Sequence, residues 1–246
     1  MARAAVLGRL TWRAVTVTGV RDETATARTL VLDAGDWPGH LPGQHLDLRL
    51  TSADGYSTQR SYSIASAGPG PVEITVAVVD GGEVSPYLAR DVRPGDQFEV
   101  RGPVGGYFVW RREDPAPVLL VAGGSGIVPL MAMIRDRSAS GSRVPFRLVY
   151  SIRSPAEAIY GRELARRVRD DHGLDVTYLY SRSAPEGWRR APSRIRPGDL
   201  VANGWPPELD PLCFVCGPTG FVEATATLLA GAGHPAGRIK TERFGG

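Results

Sequence analysis

The stretch Val118-Leu119-Leu120-Val121-Ala122-Gly123-Gly124-Ser125-Gly126-Ile127-Val128-Pro129 predicts a buried strand that ends in glycines and continues as a helix. Pro129 fits the first turn of that helix. A helix N-terminus leaves backbone N–H groups without partners, and such groups attract phosphates. Gly124-x-Gly126 matches the start of the fingerprint Gly-x-Gly-x-x-Gly, but Pro129 replaces the third glycine. An ordinary strand-to-helix turn would use the same residues, so the rest of the sequence decides between the two interpretations.

Beyond this stretch, strands and helices alternate along the chain. The patterns predict strands at residues 146–151, 176–181, 212–216 and 238–242, and helices at residues 127–137, 155–169 and 219–230. A loop rich in proline and arginine runs from residue 182 to about residue 207. Such alternation predicts a parallel sheet with helices on both faces, which binds ligands beyond the carboxyl ends of its strands. Residues 123–126, 151–154, 181–182 and 217–218 all fall at such ends, which favours a bound nucleotide.

Residues 12 to about 110 carry short runs with the alternation of antiparallel strands. Leu46, Leu48 and Leu50 fall on one face of residues 45–50, and similar runs occupy residues 15–18, 29–32 and 72–78. Proline–glycine turns separate the runs, which predicts a small barrel or sandwich. Residues 86–90 are predicted as a short helix, with Ser85 as its N-cap and Pro86 at its first position.

The motif Asp114-Pro115-Ala116-Pro117 separates the two patterns. We therefore predict a two-domain protein, with an antiparallel β-barrel over residues 1–114 and an α/β, parallel-sheet, Rossmann-like domain over residues 115–246. A chain of 246 residues has room for two such domains.

The composition excludes several classes of protein. The chain is 42% hydrophobic and 22% charged, as is usual for globular proteins, and no apolar run approaches the ~20 residues that span a bilayer. The apolar segment at the N-terminus is broken early by Arg9, so we predict no signal peptide and a cytoplasmic location. The net charge is +3. The densest basic patch is interpreted as a solvated loop, so we expect no bound nucleic acid. The patch comprises Arg189, Arg190, Arg194 and Arg196.

The two cysteines, Cys213 and Cys216, resemble a redox motif but lie in an apolar run that predicts a buried strand. Side chains three apart on a strand point to opposite faces, so the two thiols would not bridge. Two cysteines are also too few for an iron–sulfur cluster, and the four histidines lack ligand spacing. We predict no metal site.

Arg60-Ser61-Tyr62-Ser63 combines three groups that a flavin nucleotide needs. An arginine fork binds a phosphate, a tyrosine offers a flat face to an aromatic ring, and a serine hydroxyl bonds a ring heteroatom. We place the motif at the start of a strand, with Arg60 and Tyr62 on one face and Ser61 and Ser63 on the other. An exposed strand end without a ligand is the alternative.

Four motifs occur in order along the chain: Arg60-x-Tyr62-Ser63, Gly82-x-x-Ser85, Gly123-Gly124-Ser125-Gly126-x-x-Pro129 and Cys216-Gly217-Pro218. Together they resemble the ferredoxin–NADP reductase family of flavoenzymes. The resemblance covers nearly the whole chain and implies an FAD-binding barrel, an NAD(P)-binding domain, and hydride transfer from a nicotinamide to a flavin.

The resemblance implies roles for the residues that match. Arg60, Ser61, Tyr62 and Ser63 would hold the flavin, with Arg60 on its pyrophosphate, Tyr62 on its ring and Ser63 near N5. A second phosphate-binding element would favour FAD over FMN. This element comprises Gly82, Glu83, Val84 and Ser85.

The family pattern also implies a nicotinamide site. Gly124, Ser125 and Gly126 would bind the nicotinamide nucleotide pyrophosphate, and Cys216, Gly217 and Pro218 would lie beside the nicotinamide. Ser63, Cys216 and Glu242 form the predicted catalytic set. Phe244 corresponds to an aromatic residue that covers the flavin in part of the family, although two glycines follow it here.

Ser181-Arg182 suits the 2′-phosphate of NADP, because an arginine fork binds phosphate whereas NAD binders usually place an acid there. Arg153, at the previous strand end, could assist. NADP(H) is therefore predicted, with NAD(H) as the alternative. The other interpretation of Arg182 is a charged loop residue without a ligand.

These inferences predict an FAD-dependent NAD(P)H oxidoreductase that passes electrons to a separate acceptor, either a ferredoxin-like carrier protein or a small molecule. We expect a monomer without a fused ferredoxin domain. Two alternatives remain: a reductase of free flavin, ferric complexes or quinones, and a non-catalytic regulatory subunit that binds nucleotides.

Overall fold

Alternating apolar residues form a six-stranded antiparallel sheet in the first half of the chain. The structure is a computed structural model and describes residues 10–52 and 54–244, so the predictions for the N-terminal segment and the final glycines lie outside the described residues. The strands are β1 (Arg13–Thr24), β2 (Ala27–Asp33), β3 (His45–Thr51), β4 (Ser57–Ser63), β5 (Val72–Ala77) and β6 (Gln97–Val104).

The six strands close into a barrel. Their order is β4-β3-β6-β1-β2-β5, and a bridge between Ile64 and Ile74 joins the two edges. Leu46 and Leu48 are fully buried inside, as the alternation predicted. A short helix, α1 (Val84–Arg90), covers one end of the apolar interior with Val84 and Leu88. The predicted antiparallel β-barrel is confirmed.

The second half forms a five-stranded parallel sheet of order β11-β10-β7-β8-β9, which confirms the predicted α/β domain. Its strands are β7 (Val118–Gly123), β8 (Phe146–Ile152), β9 (Leu174–Tyr180), β10 (Leu212–Pro218) and β11 (Ile239–Phe244). Its helices are α2 (Ile127–Ala139), α3 (Gly161–Asp170), α4 (Pro197–Asn203) and α5 (Thr219–Gly231). The strand order reverses at β7, so the glycine loop after β7 stands at the switch point where such sheets bind nucleotides.

The predicted helix over residues 155–169 is wrong in its first part. A 3-10 turn occupies Pro155–Glu157, and α3 begins only at Gly161. Between them Tyr160 adopts a left-handed backbone, with φ 59°, which side chains with a Cβ rarely adopt. Tyr160 is buried, and its hydroxyl bonds the hydroxyl of Thr75 in the barrel, so a tertiary contact interrupts the helix.

Three further local predictions are corrected. The loop between residues 182 and 207 contains α4, because Pro197 suits a first helical position and the Asp199 carboxylate accepts the Arg196 N–H at 2.7 Å. Ser85 lies inside the first turn of α1 and is not its N-cap. Its hydroxyl accepts a hydrogen bond from the Val79 N–H at 3.0 Å. Arg60–Ser63 ends β4 rather than starting it.

Residues 105–117 join the two sheets and pack against both domains. Phe108 and Trp110 are buried in this segment, and the Phe108 ring meets Phe214 edge-on with centroids 5.4 Å apart. Gln44 Nε2 donates to Gly105 O at 2.6 Å, which ties the segment to the barrel. The predicted boundary between residues 114 and 115 falls within this segment and stays a prediction.

Candidate functional site

The side chains of Ser63, Cys216 and Glu242 meet where the two domains touch. Ser63 is the last residue of β4, and its Oγ donates to Glu242 Oε1 at 3.3 Å. Glu242 in β11 lies beside Cys216 in β10, because the two parallel strands pair in that register. The three residues of the predicted catalytic set are therefore neighbours, although they are far apart in sequence.

Burial controls the charge of this cluster. It raises the pKa of Glu242 to about 7, against the opposing effect of the Ser63 hydrogen bond. It also raises the pKa of the Cys216 thiol well above its ordinary value, and the neighbouring Glu242 carboxylate adds to the rise. At neutral pH the thiol is therefore protonated and unreactive, while Glu242 exchanges a proton readily.

The end of β4 presents two different faces. Ser61 Oγ donates to Asp47 Oδ1 at 2.7 Å on the outer face, and Ser63 shares that face. Tyr62 lies on the opposite face, partly buried against the barrel core, and burial raises its pKa to about 12. Arg60 is exposed; its guanidinium bonds Gln59 O at 2.7 Å and pairs with no carboxylate among the described residues. Its positive charge is available to an anion.

The second predicted phosphate element lies on the same side of the barrel. Tyr56 just precedes β4, and its hydroxyl donates to the Glu83 carboxylate at 3.4 Å, ahead of the first turn of α1. The Gly82 N–H donates to Val79 O at 3.0 Å, so the chain turns sharply before the helix. The Tyr56–Glu83 bond therefore places the start of α1 beside the start of β4, the strand that carries Arg60.

The glycine loop after β7 is packed tightly on one side and open on the other. A Cβ at Gly126 would lie 2.1 Å from the Cys216 carbonyl oxygen, and a Cβ at Gly123 would lie 2.7 Å from the Phe221 ring. Gly124 differs, because it has φ +54° and a Cβ added there would have no heavy atom within 4 Å. Packing therefore demands Gly123 and Gly126, while Gly124 faces open space that a ligand can enter and Ser125 beside it is partly exposed.

Two arginines project at the carboxyl ends of the neighbouring strands. The Arg182 N–H donates to Arg153 O at 2.9 Å and the Ser181 N–H donates to Ile152 O at 2.9 Å, so the loops after β8 and β9 lie together. The side chains of Arg153 and Arg182 are exposed, and neither forms an ion pair within residues 10–52 and 54–244. Two unpaired guanidinium groups at a strand end suit an anionic group such as a phosphate.

Phe244 ends β11 in register with Pro218, and it packs against the apolar core that contains Cys216. The predicted aromatic residue therefore lies next to residues 216–218. Cys213 belongs to the core on the other side of the sheet, and both thiols are free, which confirms that the two cysteines face opposite ways.

Within residues 10–52 and 54–244, no group of three or more acidic, histidine or cysteine side chains is suited to a metal ion. In the same part, every helix is too short or too polar to cross a bilayer.

The sequence interpretation missed Arg135. This residue follows eight successive buried residues of α2, from Ile127 to Ile134, and its guanidinium reaches the barrel. A charged residue at the end of such an apolar run was the signal available in the sequence. Its partner Glu73 is an ordinary strand residue, and nothing in the sequence linked the two.

Comparisons with known proteins identify both halves. Residues 15–109 match the family model of an oxidoreductase FAD-binding domain, and residues 120–227 match that of an oxidoreductase NAD-binding domain. The crystal structure of the FAD/NAD-binding domain of a nitric oxide dioxygenase from Vibrio cholerae aligns with a TM-score of 0.83 and 26% identity. That alignment covers 95% of this chain and 99% of that one.

Two curated relatives are reductase components. The glycine betaine monooxygenase reductase subunit of Pseudomonas aeruginosa is 35% identical over 83% of this chain, which spans 56% of that protein's length. The ferredoxin–NAD(P)+ reductase component of the naphthalene 1,2-dioxygenase/salicylate 5-hydroxylase systems of a Ralstonia species is 28% identical over 93% of this chain and 68% of its own. The chain thus spans little more than half the length of the first relative.

The two loop glycines should differ in their tolerance of alanine. Gly126→Ala drives a Cβ into the Cys216 carbonyl and should lower the free energy of unfolding by about 3 kcal/mol. Gly124→Ala meets no atom and should cost only about 1 kcal/mol, from its left-handed backbone. Urea unfolding of both variants and the parent measures the difference, and equal losses would contradict the packing role of Gly126.

The raised pKa of Glu242 should make the ligand-free protein less stable as the pH rises. Between about pH 4.5 and about pH 7 the folded state holds a proton on Glu242 that the unfolded state has lost. Stability from this group is therefore complete below about pH 4.5 and falls by on the order of 3 kcal/mol as the pH rises from about 4.5 to about 7. Glu242→Gln should remove this decline in urea unfolding at several pH values.

Glu223→Gln is the matched control, because Glu223 is an exposed acid paired with Arg243, the residue that follows Glu242 on β11. It should leave the pH profile of unfolding unchanged. A parent profile that coincides with the Glu242→Gln profile would show that this carboxyl ionises normally.

Proposed function

The chain belongs to the ferredoxin–NADP reductase family, and on that premise we propose that it transfers electrons from NADPH, by way of bound FAD, to a separate acceptor. The observation that carries the proposal is the contact of Ser63 and Glu242 beside Cys216, because it joins the FAD-binding barrel to the NAD-binding sheet at one point. A two-cofactor reaction needs such a meeting point between its two binding domains.

The residues on the barrel fit FAD. Arg60 offers a guanidinium that no carboxylate among the described residues neutralises, Tyr62 offers a partly buried ring, and the first turn of α1 offers backbone N–H groups. FAD, when bound, supplies a ring that accepts a hydride and can return electrons singly. We assign the pyrophosphate to Arg60 and residues 82–85, and the ring to Tyr62 and Ser63.

The residues on the sheet fit a nicotinamide nucleotide. The open side of Gly124, with the partly exposed Ser125 next to it, would receive its pyrophosphate, and the nicotinamide would lie beside Cys216, Gly217 and Pro218, with Phe244 alongside. The tight packing of Gly126 on the Cys216 carbonyl fixes the loop against β10, so the phosphate and nicotinamide positions are held in one rigid unit.

The protein side chains at the meeting point would orient the cofactors and exchange protons, and would not react themselves. Cys216 stays a neutral thiol, a small polarisable surface against which a ring can pack. Ser63 presents a hydroxyl whose proton is directed to Glu242, and Glu242 can hold or release a proton near neutral pH. Burial of Cys216 and Ser63 keeps water from the site.

NADPH is favoured over NADH by Arg153 and Arg182, which place two unpaired positive charges at the ends of β8 and β9. No acid for the ribose hydroxyls follows β9 directly, since residues 181–184 are Ser-Arg-Ser-Ala.

A separate acceptor is supported by the relatives, whose names describe reductase components of oxygenase systems. We extend this to an electron-carrier protein for the present chain. A monomer in the cytoplasm completes the proposal, and light scattering during gel filtration would test the oligomeric state.

The central test is anaerobic reduction of the purified protein by NADPH. The protein should be yellow, and NADPH should bleach it. Arg60→Ala should yield largely flavin-free protein, because the variant loses the charge that binds the pyrophosphate. Arg49→Ala is the control, since Arg49 lies on the adjacent strand but pairs with Glu99 at 2.7 Å.

A colourless protein that binds no added FAD would overturn the enzyme proposal and favour a non-catalytic subunit. Full flavin occupancy in Arg60→Ala would remove Arg60 from the phosphate role. After bleaching, a screen of one-electron and two-electron acceptors distinguishes a carrier protein from free flavin, ferric complexes or quinones.

Arg182→Ala should raise the KM for NADPH by about 10-fold or more while changing the KM for NADH less than about 2-fold, because only NADPH carries the extra phosphate. Steady-state kinetics with both nucleotides measure this. Arg189→Ala removes an exposed charge from the same loop and should affect both nucleotides slightly. Equal effects of Arg182→Ala on the two nucleotides would refute the assignment.

A further inference from the structure

Arg135 crosses from the NAD-binding domain into the FAD-binding barrel. It lies on α2, and only 12% of its side chain is exposed. Nη1 donates to Glu73 Oε2 at 2.9 Å and to the carbonyl oxygen of Ala65 at 2.9 Å, both in the barrel. Nη2 donates to Glu163 Oε2 at 2.6 Å, on α3 of its own domain. Nε also donates to Glu163 Oε1 at 3.2 Å, so one guanidinium binds four acceptor atoms on three residues from both domains.

The barrel acceptors adjoin the flavin motif. Ala65 is two residues beyond Ser63, and its N–H donates to Glu73 O at 2.7 Å. The Ile64 N–H donates to Gln44 O at 2.9 Å. Arg135 thus binds the side chain of Glu73 and the carbonyl of Ala65, whose N–H is bonded to the Glu73 backbone. It therefore fixes the chain just after Ser63 from the nicotinamide side of the interface.

Tyr160 adds a second link at the same place. Its hydroxyl bonds Thr75, and the Thr75 hydroxyl bonds Thr29 at 2.7 Å inside the barrel. The Arg135 guanidinium carbon lies 4.9 Å from the centroid of the Tyr160 ring. The left-handed backbone of Tyr160 aims the ring into this position, and a strained residue of this kind persists only where its surroundings hold it.

The charges in this cluster are compensated. Burial by itself would lower the pKa of Arg135. The hydrogen bonds to Glu163 and the charge of Glu73 outweigh that effect, so the pKa lies above its ordinary value. The Glu163 pKa is lowered by Arg135 and Arg167 despite burial. Removing the guanidinium would leave two partly buried carboxylates without their main partner.

We propose that Arg135 is a positioning residue that sets the placement of the flavin-binding end of β4 relative to the nicotinamide site. This inference rests on the proposed function. A planar fork with five donors reaches acceptors from two domains at fixed angles, which a lysine cannot do. A misplacement of about 1 Å at a hydride-transfer site costs up to about 100-fold in rate, so loss of Arg135 should act on the chemical step.

The test compares Arg135→Gln with Arg167→Gln. Arg167 also pairs with Glu163, at 2.8 Å, but within one helix, and among residues 10–52 and 54–244 it has no ion pair with the barrel. Hydrogen exchange of residues 57–66 in the ligand-free protein should become faster in Arg135→Gln and stay unchanged in Arg167→Gln. Stopped-flow mixing with NADPH should show a loss of long-wavelength charge-transfer absorbance and a hydride-transfer rate constant about 10- to 100-fold lower in Arg135→Gln only.

Two further measurements separate positioning from general damage. Flavin content and the dissociation constant of NADPH should change less than about 3-fold in Arg135→Gln, since Arg135 touches neither predicted cofactor site. Arg135→Lys keeps the charge and should recover only part of the rate. If Arg135→Gln does not fold, Glu73→Gln removes the barrel side of the same ion pair and carries the same measurements.

The proposal is overturned if Arg135→Gln transfers hydride within about 2-fold of the parent with an unchanged charge-transfer band. A parent protein that NADPH does not reduce would instead refute the proposed function. In that case hydrogen exchange in the ligand-free protein still decides the role of Arg135: faster exchange at residues 57–66 supports positioning, and unchanged exchange overturns it.

Discussion

The hydrogen bond from Ser63 to Glu242 joins the last residue of a barrel strand to a strand of the parallel sheet, and the site exists only if both domains hold that distance of 3.3 Å. Residues 105–117, packed through Phe108 and Trp110, bring the domains together on one side. Arg135 and Tyr160 hold them from α2 and from the segment before α3. The contact is therefore supported from several elements, as expected of a site whose geometry has to be fixed in advance.

The glycine loop also depends on packing against the strand that carries Cys216. The sequence suggested that its glycines serve a phosphate, and the structure divides that role. Gly123 and Gly126 are required because α5 and β10 come too close for a Cβ, whereas a Cβ at Gly124 would face open space. Pro129 stands in the first turn of α2, where a missing N–H costs nothing. The lost third glycine of the fingerprint is thus consistent with a working loop.

Much of this was predictable from sequence because the signals are local. Alternating leucines fixed the inner face of β3, and apolar runs ending in glycine fixed β7 and the switch point. Ser63 and Cys216 could be nominated from the motifs, and Glu242 from the family's acid near the C-terminus, and the three do meet. The misses concern long-range contacts: the hydroxyl of Tyr160, in the segment before α3, binds Thr75, and Arg135 binds Ala65 and Glu73, which lie 70 and 62 residues away. No local pattern encodes these partners.

Lys240 is the single lysine of the chain, and it sits at the junction of the domains. Its ammonium donates to Val109 O at 3.2 Å and lies 5.3 Å from the centroid of the Phe214 ring, and burial lowers its pKa. The chain therefore carries one amine side chain whose accessibility depends on how residues 105–117 pack against the parallel sheet. Acylating reagents that react with amines would modify this lysine slowly while its ammonium is bonded to Val109 O and faster once that segment moves away, so the acylation rate reports on the packing of the connecting segment.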